Sequence, residues 1–358
     1  MKKIYYITAV FATLFLVGCG DGIDLPGVNV ETDLNKIPLP DNNVNLEQVE
    51  LKPSTEPMLH EGLHTEEDFQ RIRDKKAAGE EPWVSAYQLL VESQFSQKTA
   101  DTYPTEWIKR GISGDENYMN AARGATIVYQ QALRWKIEQD DEYAAKAVEN
   151  LNKWVQTCVG VTGNTNLSLA AGLYGYEFAI AGELLRDYGG WDRADFAAFQ
   201  NWLLKVFYPA NDDFLKRHHD TNALHYWANW CLCNIAAKMA IGIVTDRRDI
   251  YNEGIDHLQT GDTNGRLRRA IYHDYAPDYN FAQWQESGRD QGHTLMCVGL
   301  MGIICQLAWS QGDDFFAYDD NLFLRACEYA ACCNYTNETV PYTTYIWQKQ
   351  SQWGYPIP

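Results

Sequence analysis

Two short stretches concentrate the polar groups that can do chemistry on an otherwise apolar background. The first holds Asn222, His225 and Asn229, set among Leu224, Tyr226, Trp227, Trp230, Leu232 and Ile235. Their i, i+3, i+7 spacing puts all three on one face of a helix. The second runs Gln285-Glu286-Ser287-Gly288-Arg289-Asp290-Gln291-Gly292-His293, where Glu286, Arg289 and His293 repeat the same spacing. Between them, the irregular stretch 261–287 carries Arg266, Arg268, Arg269, Tyr272, His273, Tyr275, Tyr279 and Trp284. A polar face on a buried helix costs desolvation unless its groups bond one another or line a wet cavity. The plain alternatives are a satisfied core His–Asn pair and an Arg–carboxylate network that caps a helix.

No G-x-S-x-G or H-E-x-x-H pattern occurs, and the cysteines have no metal-ligand spacing. No metal and no cofactor is therefore assigned. Asn, Arg, His and Tyr together suit removal of a proton α to a carboxylate. Asn and Arg side chains can donate to the enolate-like charge that develops. A Tyr or His takes the proton and returns one to the leaving oxygen. Where the proton and the leaving oxygen lie on one side of a sugar ring, one Tyr serves both roles; the opposite geometry needs a separate base such as His. Candidate substrate contacts are Glu286, Gln285, Asn222, Arg268 and Trp284. Tyr174 and Tyr176 join them as stacking residues, with core packing as the competing role.

These residues need a scaffold, and the chain reads as helix after helix. Thr65 followed by Glu66, Glu67 and Asp68 opens the first. Further helices are predicted over about 82–95, 118–138, 141–157, 167–187, 192–207, 220–243, 247–259, 289–311 and 321–333, from apolar residues at 3–4 spacing. About ten helices in pairs, some amphipathic and some nearly all apolar, predict an all-α fold, an (α/α) toroid or incomplete α/α barrel. Inner helices then present their N-terminal ends to a central cleft. From Val340 onward the chain is rich in Pro, Tyr and Trp, which predicts either a strand-like seal or an incomplete C-terminus.

The 358 residues are 46% hydrophobic and 13% aromatic, too apolar for disorder. Thirty Lys and Arg stand against 48 Asp and Glu, a net charge of −18, which argues against nucleic acid as a partner. Lys2 and Lys3 precede an apolar run of about 14 residues, short of the roughly 20 that a span needs. With Leu16-Val17-Gly18-Cys19 after it, this predicts a lipoprotein signal over 1–18, with Cys19 acylated and the membrane as a partner through that anchor. The expected location is the outer membrane of a bacterium. Residues 19–57, polar and aperiodic, read as a flexible tether, leaving 58–358 as the folded domain. The remaining cysteines sit in apolar helical patterns and read as buried thiols.

The segment from Gln283 to His293 resembles the Q-x-x-E-x-x-R-D-x-G-H signature of the alginate lyase superfamily, the (α/α) toroid polysaccharide lyases. Ala308-Trp309-Ser310-Gln311-Gly312-Asp313-Asp314 continues the likeness, and the proteins it resembles are often exported by Bacteroidetes. Asn229 stands before Thr245-Asp246-Arg247-Arg248-Asp249 as the carboxylate-neutralising Asn does in polysaccharide lyase family 5. Trp230 occupies the place of that family's catalytic His, which leaves His225 or His293 as the base, and the same resemblance implies Arg289 for carboxylate binding and Tyr275 as acid/base. The resemblance, which extends to family 38, implies cleavage of an anionic polysaccharide, alginate or glucuronan, by β-elimination. A glycoside hydrolase on the same toroid, using Glu286 and Asp290, and a non-catalytic glycan-binding lipoprotein are the alternatives.

Overall fold

The computed structural model describes residues 54–335 and 340–345. The expected signal segment, most of the expected tether and Cys19 lie outside the described residues. Twelve α-helices follow in order: α1 Glu66–Ala77, α2 Trp83–Glu92, α3 Tyr118–Glu138, α4 Asp141–Thr157, α5 Leu167–Leu185, α6 Arg193–Val206, α7 Tyr208–Arg217, α8 Ala228–Val244, α9 Arg248–Thr260, α10 Leu267–Ala270, α11 Gln291–Ser310 and α12 Tyr318–Tyr335. Strands β1 Trp107–Arg110 and β2 Gly160–Gly163 pair in parallel, while β3 Ile271–Asp274 and β4 Ala282–Trp284 form an antiparallel hairpin. Strands this short leave no readable alternation, so the all-helical pattern did not foretell them.

Helices α5, α8 and α11 are buried on nearly every side, as their continuous apolar sequences require. Helices α4 and α9 bury one stripe each and pack outside α3 and α8 respectively. The inner helices run the same way. Near the head of α5 the Ser168 carbonyl accepts from Asn234 of α8, and at its foot Arg186 donates to the Ile243 and Val244 carbonyls that end α8. Tyr118 and Tyr174 stack near the heads of α3 and α5, and Trp135 meets Tyr188 at their feet. Gly172 permits the close approach of α5 to α8, since a Cβ there would come within 2.5 Å of the Cys233 sulfur. The result is an (α/α) toroid with the inner N-termini gathered at one mouth.

The opposite mouth is crossed by the chain before α1. Glu56 and Pro57 give their carbonyls to Arg248, Leu59 exchanges two hydrogen bonds with Gln311, and His60 meets Asp246 at 3.0 Å. His64 then bonds the Tyr129 hydroxyl at 2.6 Å. Ser54–Pro57, expected in the tether, thus pack on the toroid.

Three helical expectations change. Helix α8 begins at Ala228, not near 220, because His218, His219 and Asp220 all take left-handed backbone conformations and residues 221–227 form a loop. The side chain of Asn264 holds that loop by donating to the Leu224 and Tyr226 carbonyls. Residues 208–217, assigned to no helix from the sequence, form α7, started by Pro209 in its first turn. The stretch 261–287 is not irregular but carries α10 and the β3–β4 hairpin.

Candidate active site

The head of α8 is built by residues from elsewhere. Its N-cap, Trp227, has no side-chain acceptor for the first amides. Gln285 Oε1 accepts from the Ala228 N–H at 2.8 Å, and Glu286 Oε1 accepts from the Asn229 N–H at 3.1 Å. Both come from the 3-10 turn Gln285–Gly288 that follows β4. A carboxylate at a helix N-terminus satisfies orphan amides and meets the positive end of the helix dipole. The second Glu286 oxygen lies 3.2 Å from Arg289, whose guanidinium sits 5.3 Å above the Trp227 ring. One buried acid thus fixes both Asn229 and Arg289.

The Asn229 side chain is unusual. The residue is 2% exposed, its Nδ2 meets only the Met296 sulfur at 3.6 Å, and its buried Oδ1 has no hydrogen-bond partner among the described residues. Buried amides are nearly always satisfied, so an unsatisfied one beside a partly exposed Arg marks a site.

One turn further, Asp290 caps α11. Its carboxylate accepts the His293 N–H at 2.8 Å and the His293 Nδ1 at 2.6 Å. Burial works to raise the Asp290 pKa, but the bonds from His293 and the charge of Arg289 outweigh it and hold the carboxyl below its ordinary range. An imidazole oriented through Nδ1 by a carboxylate directs its Nε2 away from that carboxylate, the arrangement of a positioned base.

Tyr275 follows β3. Its hydroxyl donates to Gln283 Oε1 at 2.6 Å and lies 3.1 Å from Thr343 Oγ1. Burial raises its pKa, and the Thr343 bonds pull against that. Residues 340–345 lie against this hairpin, Gln283 bonding the Thr343 carbonyl at 2.8 Å and Gln285 the Tyr345 hydroxyl at 2.7 Å. Ring contacts run without a break from Trp227 through Tyr345, Tyr272 and His273 to Tyr275. They tie the Arg289 end of the site to the Tyr275 end.

The structure therefore brings Asn229, Arg289 and His293 to the heads of α8 and α11, with Tyr275 on the adjoining hairpin. Several expected substrate contacts change role. Gln285 and Glu286 are buried and hold backbone amides. Trp284 is fully buried and donates to the Ala326 carbonyl at 2.9 Å, so it cannot stack on a sugar. Tyr174 and Tyr176 are buried in the core, Tyr174 stacked on Tyr118. Arg268 forms a buried ion pair with Asp319. Neither Asn222 nor His225 shares a helical face with Asn229: exposed Asn222 accepts from the Leu224 N–H, and half-buried His225 packs its ring on Tyr226 in the loop. Tyr345 and Thr343 were not singled out, because a Pro- and Tyr-rich tail offered as a strand-like seal does not reveal which of its residues meet the hairpin. Among the described residues, no group of three His, Cys, Asp or Glu is placed to hold a metal ion.

The fold is thus a toroid of paired helices, with Asn229, Arg289 and His293 at the inner N-termini and Tyr275 on the adjoining hairpin. The model of the alginate lyase family matches residues 73–338, and the chain belongs to that family. No curated protein sequence matches it. Solved structures of similar fold include alginate lyase A1-III complexed with a tetrasaccharide, 14% identical, covering 78% of this chain and 82% of that one with a TM-score of 0.59. The same lyase from Sphingomonas species A1 gives 12% identity, 77% and 79% coverage and a TM-score of 0.54. An alginate lyase from Bacteroides ovatus gives 14% identity, 75% and 82% coverage and a TM-score of 0.51.

Proposed function

We propose that the protein cleaves a uronic-acid polymer, alginate or glucuronan, by β-elimination, with Asn229 and Arg289 binding the carboxylate of the sugar that loses its proton. The observation that carries this reading is the unsatisfied Asn229 amide beside an Arg289 that Glu286 holds in place. Donors fixed before the substrate arrives stabilise developing charge without reorganising. The base removes the C5 proton, the C4–O4 bond breaks, its electrons leave with O4, and the C5–H pair becomes the C4=C5 double bond. A proton returned to O4 completes the step. Tyr275 is assigned the return of the proton, and in β-mannuronate or β-glucuronate, where H5 and O4 share a side, it also removes H5. For the opposite geometry the base is a His, with the His293–Asp290 pair better supported than loop-borne His225. Glu286 and Asp290 cap helices and bind Arg289 and His293, which counts against a two-carboxylate hydrolase.

The test is a set of alginate blocks and glucuronan assayed for ultraviolet absorbance of the unsaturated uronyl product. New absorbance with wild type, lost with Asn229→Ala, is expected; new reducing ends without absorbance sink the proposal. Acylation of Cys19 and attachment to the outer membrane are proposed on the sequence pattern. Mass spectrometry of detergent-extracted protein, wild type beside Cys19→Ser, checks them, and a wild-type chain without an acyl group ends that part.

A further inference from the structure

A second cationic point lies at the same mouth, on different helices. Arg110 ends β1 and is 5% exposed, yet among the described residues it has no carboxylate partner. Its guanidinium lies 4.7 Å from the centroid of the Tyr118 ring, and its Nη1 is buried without a hydrogen bond. Tyr118, half-buried, is the first residue of α3 and stacks on Tyr174 of α5. The acids nearest in sequence are engaged elsewhere, Asp115 with the Lys109 amine at 2.7 Å and Glu116 with the Gly111 N–H at 2.6 Å. A buried guanidinium without a counter-ion is costly, and a ring face offsets only part of that cost. Among the described residues the other buried arginines, Arg134, Arg268 and Arg325, each pair with an acid. Arg110 departs from that rule where the cleft opens.

We propose that Arg110, braced by Tyr118, is a second carboxylate-binding point, which takes a uronate of the same polymer chain away from the bond that breaks. This rests on the lyase reading above. Arg289 binds the reacting sugar and is needed for every substrate. Arg110 is needed only by chains long enough to span from the head of α8 to the heads of α3 and α5. A planar guanidinium binds a carboxylate through two parallel hydrogen bonds, which a Lys cannot reproduce.

The experiment measures kcat and KM of wild type, Arg110→Gln and Arg110→Lys on one uronan as polymer and as a ladder of defined oligosaccharides. Expected for both variants is a KM for polymer raised about tenfold or more, with kcat little changed and the shortest cleavable oligosaccharide unaffected. A KM change equal at all lengths, or none, overturns the proposal. If Arg110→Gln fails to fold, Arg110→Lys and Tyr118→Leu are judged by the same length dependence. A wild type that yields no unsaturated product from any uronan refutes the lyase reading instead, whereas an active wild type with length-independent variants refutes only the role of Arg110.

Discussion

Replacing Asn229 by Ala separates a residue kept for chemistry from one kept for the fold. Its backbone N–H stays bonded to Glu286 in the variant, so the head of α8 is unchanged. Only the side-chain amide goes, and among the described residues its polar contact is a 3.6 Å approach to the Met296 sulfur. The lost atoms leave a void worth about 1 kcal/mol, into which flexible Met296 can move. Against that, an unsatisfied buried amide costs about 1–3 kcal/mol, and Ala is the better helix former by about 0.5 kcal/mol. Stability is thus expected to stay level or rise, with Tm within a few degrees of wild type. Activity behaves differently. Removing one donor aimed at transition-state charge costs about 100- to 1000-fold in kcat, about 3–4 kcal/mol. Absorbance assays on the best uronan, beside a thermal melt of the same preparation, read both quantities. Turnover within about threefold of wild type refutes the reasoning, and so does a loss of activity accompanied by a Tm drop of about 10 °C or more.

Tyr275→Phe removes the hydroxyl that donates to Gln283; turnover is expected to vanish while urea melts show a loss of only about 1 kcal/mol. Asp290→Asn keeps an N-cap but removes the charge on His293, so a changed pH–rate profile assigns the proton to His293 and an unchanged one assigns it to Tyr275. The depressed Asp290 pKa stabilises the fold above the unfolded carboxyl range and is lost as pH falls through the folded value, a dependence that urea midpoints of Asp290→Asn should lack. Burial pushes the Glu177 carboxyl up to about 8, against about 4.3 when unfolded, so wild type loses stability as pH rises between those values. Glu177→Gln is expected to gain on wild type from pH 5 to pH 8 in urea midpoints, and a pH-independent difference contradicts the assignment. Trp284→Phe gives up the bond to Ala326 and core volume, so it should destabilise by about 1–3 kcal/mol while the KM for polymer stays put, as a steady-state assay shows.

The helices were legible because their information is local. Thr65 and Asp68 form the capping box that the sequence shows, and the uninterrupted apolar runs of α5 and α11 became inner helices. Asn229 and Arg289 were legible as polar groups where the pattern demands apolar ones. What was lost depends on partners far along the chain. The start of α8 is set by Gln285 and Glu286, more than fifty residues later, and the loop before it by the Asn264 amide. The same i, i+3, i+7 spacing therefore promised a helical face at Asn222 and His225 that the left-handed turn at 218–220 removes. Gln283 and Glu286 carry the family signature yet face inward, because a segment that builds a site need not touch what binds there. Arg110 drew no notice, since β1 gains meaning only through pairing with β2 fifty residues on.

The segment that crosses the feet of the inner helices gives the molecule a front and a back. Ser54 and Glu56 lie against Asn252 and Arg248, beside the end of α8, whereas Asn229 stands at its beginning. Ser54, where the described residues begin, therefore lies on the side remote from Asn229. Helix α8 alone, at 17 residues and 1.5 Å per residue, sets the two sides about 25 Å apart. A surface that held the chain at Ser54 would hold the toroid by that side and leave the mouth at Asn229 facing the surrounding solution. Polymer chains too bulky to enter between protein and surface could then still thread across the mouth.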